Sequence, residues 1–208
     1  MKSHPMIFST EMVRAIRDGR KSMTRRIVKE GTTTPKVSVG DEIWIKETWR
    51  PCEAGGVSIE YKVGGRVEAN DDSDLHNRIV TSTYARTDRE RDEENRRNAG
   101  EKGISYRWRN AMFMPKWASR ITLRVTSVRI ERLWEITDKA AIAEGCKKCG
   151  ESGWVFEGSG YDKARLCHSA PSTAFACRWD ELHKPGRRWE DNPTVMVIGF
   201  ERQETGKV

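Results

Sequence analysis

The sequence predicts an α+β fold, in which a small mixed β-barrel is flanked by short helices and carries a polar insertion and a cysteine-bearing loop region. Segments with strand-like alternation outnumber segments with helical spacing, and turn residues separate them. With 36% hydrophobic residues, the 208-residue chain can fill one ordinary core. We therefore expect one main domain over residues 1–208, with insertions at 66–104 and 146–177.

The first predicted element is a helix that begins near residue 10. Ser9 or Thr10 supplies an N-cap hydroxyl, and Gly19 stands where a left-handed residue ends a helix. Between them the apolar residues recur at helical spacing, and they are Met12, Val13 and Ile16. The helix should therefore end just before the basic residues that follow it.

Strands and two further helices are predicted along the rest of the chain. Period-two alternation and apolar runs indicate strands at 44–49, 57–63, 121–130 and 194–200. Capping residues and helical spacing indicate helices at 136–145 and 175–182.

The insertion at 66–104 is polar throughout. Between residues 86 and 97 it holds five basic and five acidic residues and almost no apolar ones. Such a segment cannot bury much surface, so it is either mobile or a short salt-bridged helix on the surface.

Positive charge is concentrated in one segment near the N-terminus. From Arg14 to Lys29 there are seven basic residues and one acid, which accounts for +6 of the chain's net charge of +7. At its centre, the sequence GRKSMTRR at 19–26 combines a lysine, hydroxyls and three arginines. This composition is typical of a phosphate-binding or catalytic segment, but also of a solvated connection between a helix and a strand.

A nucleic acid or a nucleotide is the favoured partner. Arginines supply contacts to phosphate, while the chain's eight tryptophans offer surfaces on which unpaired bases can stack. Core packing is the alternative role for those rings. No run approaches 18 apolar residues and the N-terminus lacks an apolar signal core, so we expect a cytoplasmic protein that does not enter a membrane.

Five cysteines without an export signal favour reduced thiols or a metal site over a disulfide framework. The spacing C-x-x-C-G at 146–150 is that of a zinc knuckle. A structural zinc would take Cys146, Cys149, Cys167 and Cys177, with His168 as an alternative ligand. The second half lacks a matching C-x-x-C, so ordinary reduced thiols are the other interpretation.

Five motifs in chain order resemble the ASCH domain, particularly the versions carried by bacteriophages and prophages. They are GRKSMTRR at 19–26, GDEIWIKETW at 40–49, MPKWASR at 114–120, AEG at 143–145 and NP at 192–193. Together they span most of residues 5–202. The chain is about twice the size of the compact bacterial members, because of its two insertions.

The resemblance implies a PUA-like β-barrel with a cleft that accepts RNA or a nucleoside. Some small bacterial members look like amidohydrolases that remove the acetyl group from N4-acetylcytidine. Their lysine, threonine and glutamate correspond here to Lys21, Thr24 and, less directly, Glu144. No cofactor is required for that chemistry.

Amide hydrolysis needs a nucleophile, a base that activates it and a group that manages protons. Lys21 can be the base if burial or nearby positive charge lowers its pKa. Thr24, three residues on, shares a face with it only if the chain is helical or turned there.

Further residues are expected to contact the substrate. Aromatic rings would sandwich a base, while arginines would lie near phosphate or ring oxygens and a second acid would read a base edge. These residues are Trp49, Tyr61, Trp108, Trp117, Arg20, Arg25, Arg26, Arg120 and Glu47.

Two hypotheses of different class follow from the sequence. The first is an enzyme that hydrolyses an amide on a modified pyrimidine. The second is a binding module that reads single-stranded RNA, or DNA, without turning it over, and ribonuclease action is a third possibility. The sequence does not discriminate among them.

Overall fold

The structure is a computed structural model that describes residues 1–28, 36–52, 57–69, 72–84, 108–159 and 167–203. Within these ranges no helix is long and apolar enough to cross a membrane. The chain divides into two compact units. Unit 1 comprises Met1–His4, Glu11–Ile43 and Leu123–Gln203, and unit 2 comprises Pro5–Thr10, Trp44–Thr122 and Glu204–Val208. The expectation of one main domain stays a prediction.

Ten strands and four helices are present in the described part of the chain. The strands are β1 (Ser3–Ile7), β2 (Met23–Ile27), β3 (Glu42–Lys46), β4 (Trp49–Cys52), β5 (Ser58–Tyr61), β6 (Arg66–Glu68), β7 (Thr122–Arg132), β8 (Lys147–Cys149), β9 (Gly153–Val155) and β10 (Thr194–Gln203). The helices are α1 (Thr10–Arg17), α2 (Ser73–Tyr84), α3 (Asp138–Ala143) and α4 (Pro171–Leu182). The predicted α+β class is therefore confirmed.

Three sheets organise these strands. The largest has the order β1-β3-β7-β10-β2, a second has the order β4-β5-β6, and β8 pairs with β9 in a hairpin. Strand β10 runs antiparallel to β2, with Val197 opposite Arg25 and Ile198 opposite Thr24. This pairing places Met23–Ile27, the last part of the basic segment, at the edge of the main sheet.

Helix α1 forms and ends as the sequence predicts, and the chain becomes extended a few residues after it. Gly19 has a positive φ of 73°, the left-handed conformation that glycine adopts without steric cost. From Met23 to Ile27 the chain is a strand, which pairs with the apolar residues 195–199 of β10. The basic segment therefore begins in helix α1, passes through a turn at Gly19 and ends in strand β2.

Unit 1 has its core between the sheet and helices α3 and α4. Thr137 caps α3 by accepting a hydrogen bond from the Ala140 amide, as its position before the helix predicts. The buried apolar residues of this core are Leu133, Ile136, Ala140, Ala141, Cys146, Phe156, Ala174, Phe175, Trp179, Val195 and Val197. The core thus links the strand that carries the basic segment to the helix that precedes Glu144.

Unit 2 has a separate core, to which the polar insertion contributes more than the sequence suggests. Helix α2 lies in that insertion, and its Leu75 and Ile79 are buried beside Ile59 of β5. The prediction that the insertion buries little is therefore wrong for its first part, because two apolar residues one helical turn apart reach the core. The expectation for residues 86–97 falls outside the described residues.

Truncation of Leu133 tests the core of unit 1. Leu133 is fully buried, so we expect Leu133→Ala to lower the free energy of unfolding by about 2–5 kcal/mol through lost contacts and an unfilled cavity. Urea unfolding followed by tryptophan fluorescence measures this loss. Ile142→Ala, at a side chain that is 39% exposed, should cost well under half as much. Equal losses would contradict the assignment of the core.

Candidate functional site

Lys21 is held in a buried position at the end of helix α1. Its backbone amide donates to the Ala15 carbonyl at 3.0 Å, which continues the last turn of the helix. Its side chain is 0% exposed, and Nζ donates both to Oε2 of Glu144 at 2.6 Å and to the Glu144 carbonyl at 2.8 Å. A lysine and a glutamate 123 positions apart thus meet directly.

Glu144 occupies the C-cap position of the short helix α3. The next residue, Gly145, has a positive φ of 108°, so the chain turns sharply as it leaves the helix. A Cβ on Gly145 would lie 3.5 Å from Cβ of Lys21, which shows how closely the turn and the lysine pack. Folding of α3 and its exit turn therefore places the carboxylate beside the ammonium group.

Arg25 completes the contacts of this carboxylate. Its Nη1 donates to Oε1 of Glu144 at 3.2 Å, while Nη2 donates to Oε1 of Glu131 at 2.7 Å. The guanidinium carbon lies 5.7 Å from the ring centre of Phe175, and the side chain is 1% exposed. Arg25 was predicted to contact substrate, but in this structure its guanidinium is occupied by two carboxylates of the same unit.

The electrostatic surroundings lower the pKa of Lys21. Burial removes water from the ammonium group, which is the largest effect, and the charges of Arg26 and Arg25 act in the same direction. The carboxylate of Glu144 opposes them, both by its charge and by its hydrogen bond. Burial also lowers the pKa of Arg26, against the attraction of Glu144. A lowered lysine pKa is the condition that a base of this type requires.

Thr24 is buried in β2 and is 3% exposed. Side chains alternate across a strand, so the threonine points to the face opposite to that of its neighbour Arg25. Among the described residues, the Thr24 hydroxyl is hydrogen-bonded neither to Lys21 nor to Glu144. The structure therefore brings Lys21 and Glu144 into direct contact. It places Thr24, the third predicted catalytic residue, in strand β2, which begins two residues after Lys21.

A small, partly open pocket lies beside Glu144. Its lining includes Glu11, Ala15, Glu144, Phe156, Glu157 and Arg178. Glu157 pairs with Arg14 and, at 3.1 Å, with Arg20, which also contacts Asp18 at 2.9 Å. Arg20, another predicted substrate contact, is thus placed near the pocket wall through its carboxylate partner.

In unit 2, Glu47 and Arg120 form a buried pair. Arg120 donates to both carboxylate oxygens of Glu47 at 2.9 Å, and Glu47 is 2% exposed. The guanidinium carbon stacks 3.9 Å from the ring centre of Tyr61, whose hydroxyl donates to the Ala118 carbonyl at 2.8 Å. Burial raises the pKa of Tyr61. These three predicted contacts therefore form one packed cluster within unit 2.

The predicted stacking tryptophans differ in their exposure. Trp49 is 1% exposed and meets Trp117 edge to face, with ring centres 5.8 Å apart. Trp108 is half-buried, and the cations of Arg50 and Lys62 lie 4.4 and 5.8 Å from its ring centre. A base can stack only on a ring face that it can reach. Trp49 therefore packs in the core, whereas Trp108 lies in a surface region beside two cations.

The cysteine region differs from the sequence expectation. Cys149 and Cys167 form a disulfide, and a disulfide sulfur does not serve as a thiolate ligand. Gly153, opposite Cys149 in the β8–β9 hairpin, makes room for this bridge, because a Cβ there would collide with Cβ of Cys167. The expectation that all five thiols are reduced is therefore wrong for this pair.

The remaining candidate ligands do not gather around one point. Cys146 is buried, its Sγ donates to the Val155 carbonyl, and burial raises its pKa to about 12. Sγ of Cys177 lies 3.9 Å from Nδ1 of His168. No group of three or more potential ligands is arranged to hold a metal within the described ranges. Structural zinc stays a prediction, which would require the disulfide to be reduced.

Sequence reasoning missed Glu131 and Glu157. Glu131 lies near the end of β7, and its carboxylate also accepts a hydrogen bond from Arg129 at 2.7 Å. Glu157 follows β9 within the cysteine-bearing insertion. Glu131 lies one residue beyond the strand predicted at 121–130, whereas the observed strand β7 extends to Arg132. The sequence pattern therefore offered no signal for it.

Comparisons with known proteins were made for the whole chain. Among solved structures, similarity is found to a high-resolution crystal structure of the ASCH domain from Lactobacillus crispatus JV V101, with 12% sequence identity and a TM-score of 0.36. The alignment covers 97% of this chain and 79% of that chain. No family model matches, and neither does a curated protein. A likeness of this strength does not establish a family, so membership stays a proposal.

The disulfide can be checked by counting thiols. In denaturant without reductant, we expect a thiol reagent to titrate the three free cysteines, Cys52, Cys146 and Cys177, and to titrate five after reduction. Zinc released on denaturation would be measured in the same sample with a metal-sensitive dye. Five reactive thiols without reductant, together with one equivalent of zinc, would show that the cysteines bind zinc and that Cys149 and Cys167 do not form a disulfide.

Proposed function

We propose that this chain is an ASCH-type protein of the kind carried by bacteriophages, which binds a nucleoside or a nucleic acid and hydrolyses an amide on a modified pyrimidine such as N4-acetylcytidine. The motifs in the sequence support the family. The buried pair of Lys21 and Glu144 supports the chemistry, and it is the observation on which the proposal depends.

This pair has two properties that amide hydrolysis requires. Burial and neighbouring arginines lower the pKa of Lys21, which favours the neutral amine that can accept a proton. The carboxylate is in contact with the amine at 2.6 Å, and Glu144 is among the residues that line the small pocket. A proton taken by the amine can therefore be passed to the carboxylate of Glu144.

In the proposed reaction, Thr24 or a water molecule that it orients attacks the acetyl carbonyl. Lys21 accepts the proton of this nucleophile and passes it through Glu144 to the leaving nitrogen as the carbon–nitrogen bond breaks. Where Thr24 is the nucleophile, a water molecule then hydrolyses the acetyl ester formed on its hydroxyl, and acetate leaves. Overall, one water is consumed and acetate and the free exocyclic amine are formed. The cation of Arg26 would favour the negative charge that develops on the carbonyl oxygen.

Binding of the substrate is proposed to use charge and stacking. The net charge of +7 favours a polyanionic partner, and the half-buried Trp108 with its neighbouring cations offers a face to an unpaired base. These features also support the second candidate, a module that binds single-stranded RNA without catalysis.

Activity assays on three variants test the catalytic roles. With N4-acetylcytidine as substrate, we expect Lys21→Met and Thr24→Ala to lower kcat/KM by about 10²–10⁴-fold, because each removes a group that moves a proton or forms a bond. Chromatographic release of cytidine is the measurement. Thr24→Ser should keep most of the activity, since it retains the hydroxyl.

Ser22→Ala is the matched control, because Ser22 is exposed and lies between the two tested residues. It should behave as the wild type. Absence of cytidine with the wild-type protein would remove the deacetylase proposal. If that protein instead retards single-stranded RNA with a steep dependence on salt, the binding module is favoured, and shortened RNA would indicate a ribonuclease.

The pH dependence of the rate tests Lys21 as the base. Only the neutral amine accepts a proton, and the pKa of Lys21 lies below the ordinary 10.5. We therefore expect kcat/KM to rise with pH and to level off, with a midpoint below 10.5. Lys21→Arg, which stays charged across this range, should lose both the rise and the activity. A rate that falls with pH from 6 to 10 would exclude the lysine as base.

A further inference from the structure

The carboxylate of Glu144 is held from two sides. Oε2 accepts from Nζ of Lys21 at 2.6 Å, while Oε1 accepts from Nη1 of Arg25 at 3.2 Å. A carboxylate on the flexible side chain of glutamate can rotate, but two charged donors on different oxygens leave it one orientation. Arg25 therefore fixes the orientation of the Glu144 carboxylate relative to the lysine.

Arg25 is itself held by a second acid. Its Nη2 donates to Oε1 of Glu131 at 2.7 Å, so the two ends of the guanidinium bind two different carboxylates. Glu131 is 12% exposed, and its other oxygen accepts from Arg129, which is 46% exposed. The contacts thus form a continuous series from buried Lys21 to the surface.

The series alternates in charge and draws on several elements. Lys21 lies between α1 and β2, Glu144 ends α3, Arg25 lies in β2, and Glu131 lies in β7. Burial of Arg25 beside a single carboxylate would leave part of its guanidinium without a partner, which is costly in a site that excludes water. Glu131 supplies that partner, and Phe175 packs against the guanidinium.

We propose that Arg25 and Glu131 are positioning residues, in which Glu131 orients Arg25 and Arg25 in turn holds the carboxylate of Glu144 against Lys21. Neither residue touches the reacting atoms in this arrangement. The inference assigns Arg25 a role different from the substrate contact that its sequence position predicts. The expected effect of these residues on kcat rests on the proposed function, whereas their effect on the orientation of Glu144 does not.

The kinetic test compares two variants that remove different features. Glu131→Gln keeps the size of the side chain and removes its charge, and we expect kcat to fall about tenfold with KM changed less than twofold. Arg25→Lys keeps a positive charge but loses the two-ended fork, and kcat should fall at least as far. Asp180→Asn, which weakens an exposed carboxylate contact to the Trp189 amide elsewhere in unit 1, is the matched control and should leave kcat unchanged.

A second measurement does not depend on activity. The ammonium group of Lys21 can be followed by nitrogen-15 NMR, with its signal assigned through its absence in Lys21→Arg. Because Nζ donates to Glu144, its protons should exchange slowly in the wild type. We expect exchange to become about tenfold faster in Glu131→Gln and to stay unchanged in Asp180→Asn.

The two measurements separate the possible failures. If the wild type releases no cytidine but Glu131→Gln still speeds the exchange of the Lys21 ammonium, the proposed function fails and the positioning inference holds. If Glu131→Gln leaves both the exchange rate and kcat within twofold of wild type, the positioning inference is overturned. Equal losses of kcat in Glu131→Gln and Asp180→Asn at equal unfolding free energies would also overturn it, because they would indicate a general effect on stability.

Discussion

The buried carboxylate of Glu144, shared by Lys21 and Arg25, is the interaction on which the arrangement of unit 1 depends. Removal of a carboxylate and two cations from water carries a large cost, which the attraction between them offsets only if each charge keeps its partners. Loss of one member would leave the others buried and uncompensated, at a cost of about 3–5 kcal/mol for a pair of this type. The elements that carry these residues are therefore constrained to pack in one way.

That constraint explains several local features of the fold. Gly19 ends α1 just before the lysine, and Gly145 turns the chain directly after the glutamate, each with a positive φ. The strand β2 presents Arg25 toward the core that contains Phe175, so a guanidinium packs on an aromatic ring where an apolar residue would ordinarily lie. Apolar side chains would fill such a core with less desolvation.

The two units use charged and aromatic residues for different purposes. In unit 2, the pair of Glu47 and Arg120 packs against Tyr61 inside a hydrophobic cluster, and its two hydrogen bonds satisfy the buried carboxylate. Trp49 lies in the same cluster. Residues of a motif rich in tryptophan and arginine can therefore either pack in the core or bind a partner. The exposure of each side chain distinguishes the two roles. By that criterion, the ring of Trp108 is more accessible to a partner than that of Trp49.

The cysteine region illustrates how local spacing can mislead. Cys146 and Cys149 are three residues apart, as in a zinc knuckle, yet one sulfur faces the Val155 carbonyl in the core and the other bonds to Cys167. The β8–β9 hairpin causes this separation, since Cys149 lies within its first strand while Cys146 precedes it. Spacing alone does not specify which way each side chain points.

The amino-acid sequence by itself determined the α+β class, helix α1 with its terminal glycine, the long strand β7, helix α3 with its threonine cap, and the final apolar strand. Each of these depends on periodicity or on a capping residue within a short stretch of chain. Tertiary structure decided that the last part of the basic segment, Met23–Ile27, forms a strand, that Leu75 and Ile79 reach a core, and that Glu131 contacts Arg25. Those outcomes depend on partners more than a hundred positions away or on packing between elements. A local sequence pattern does not specify either of them.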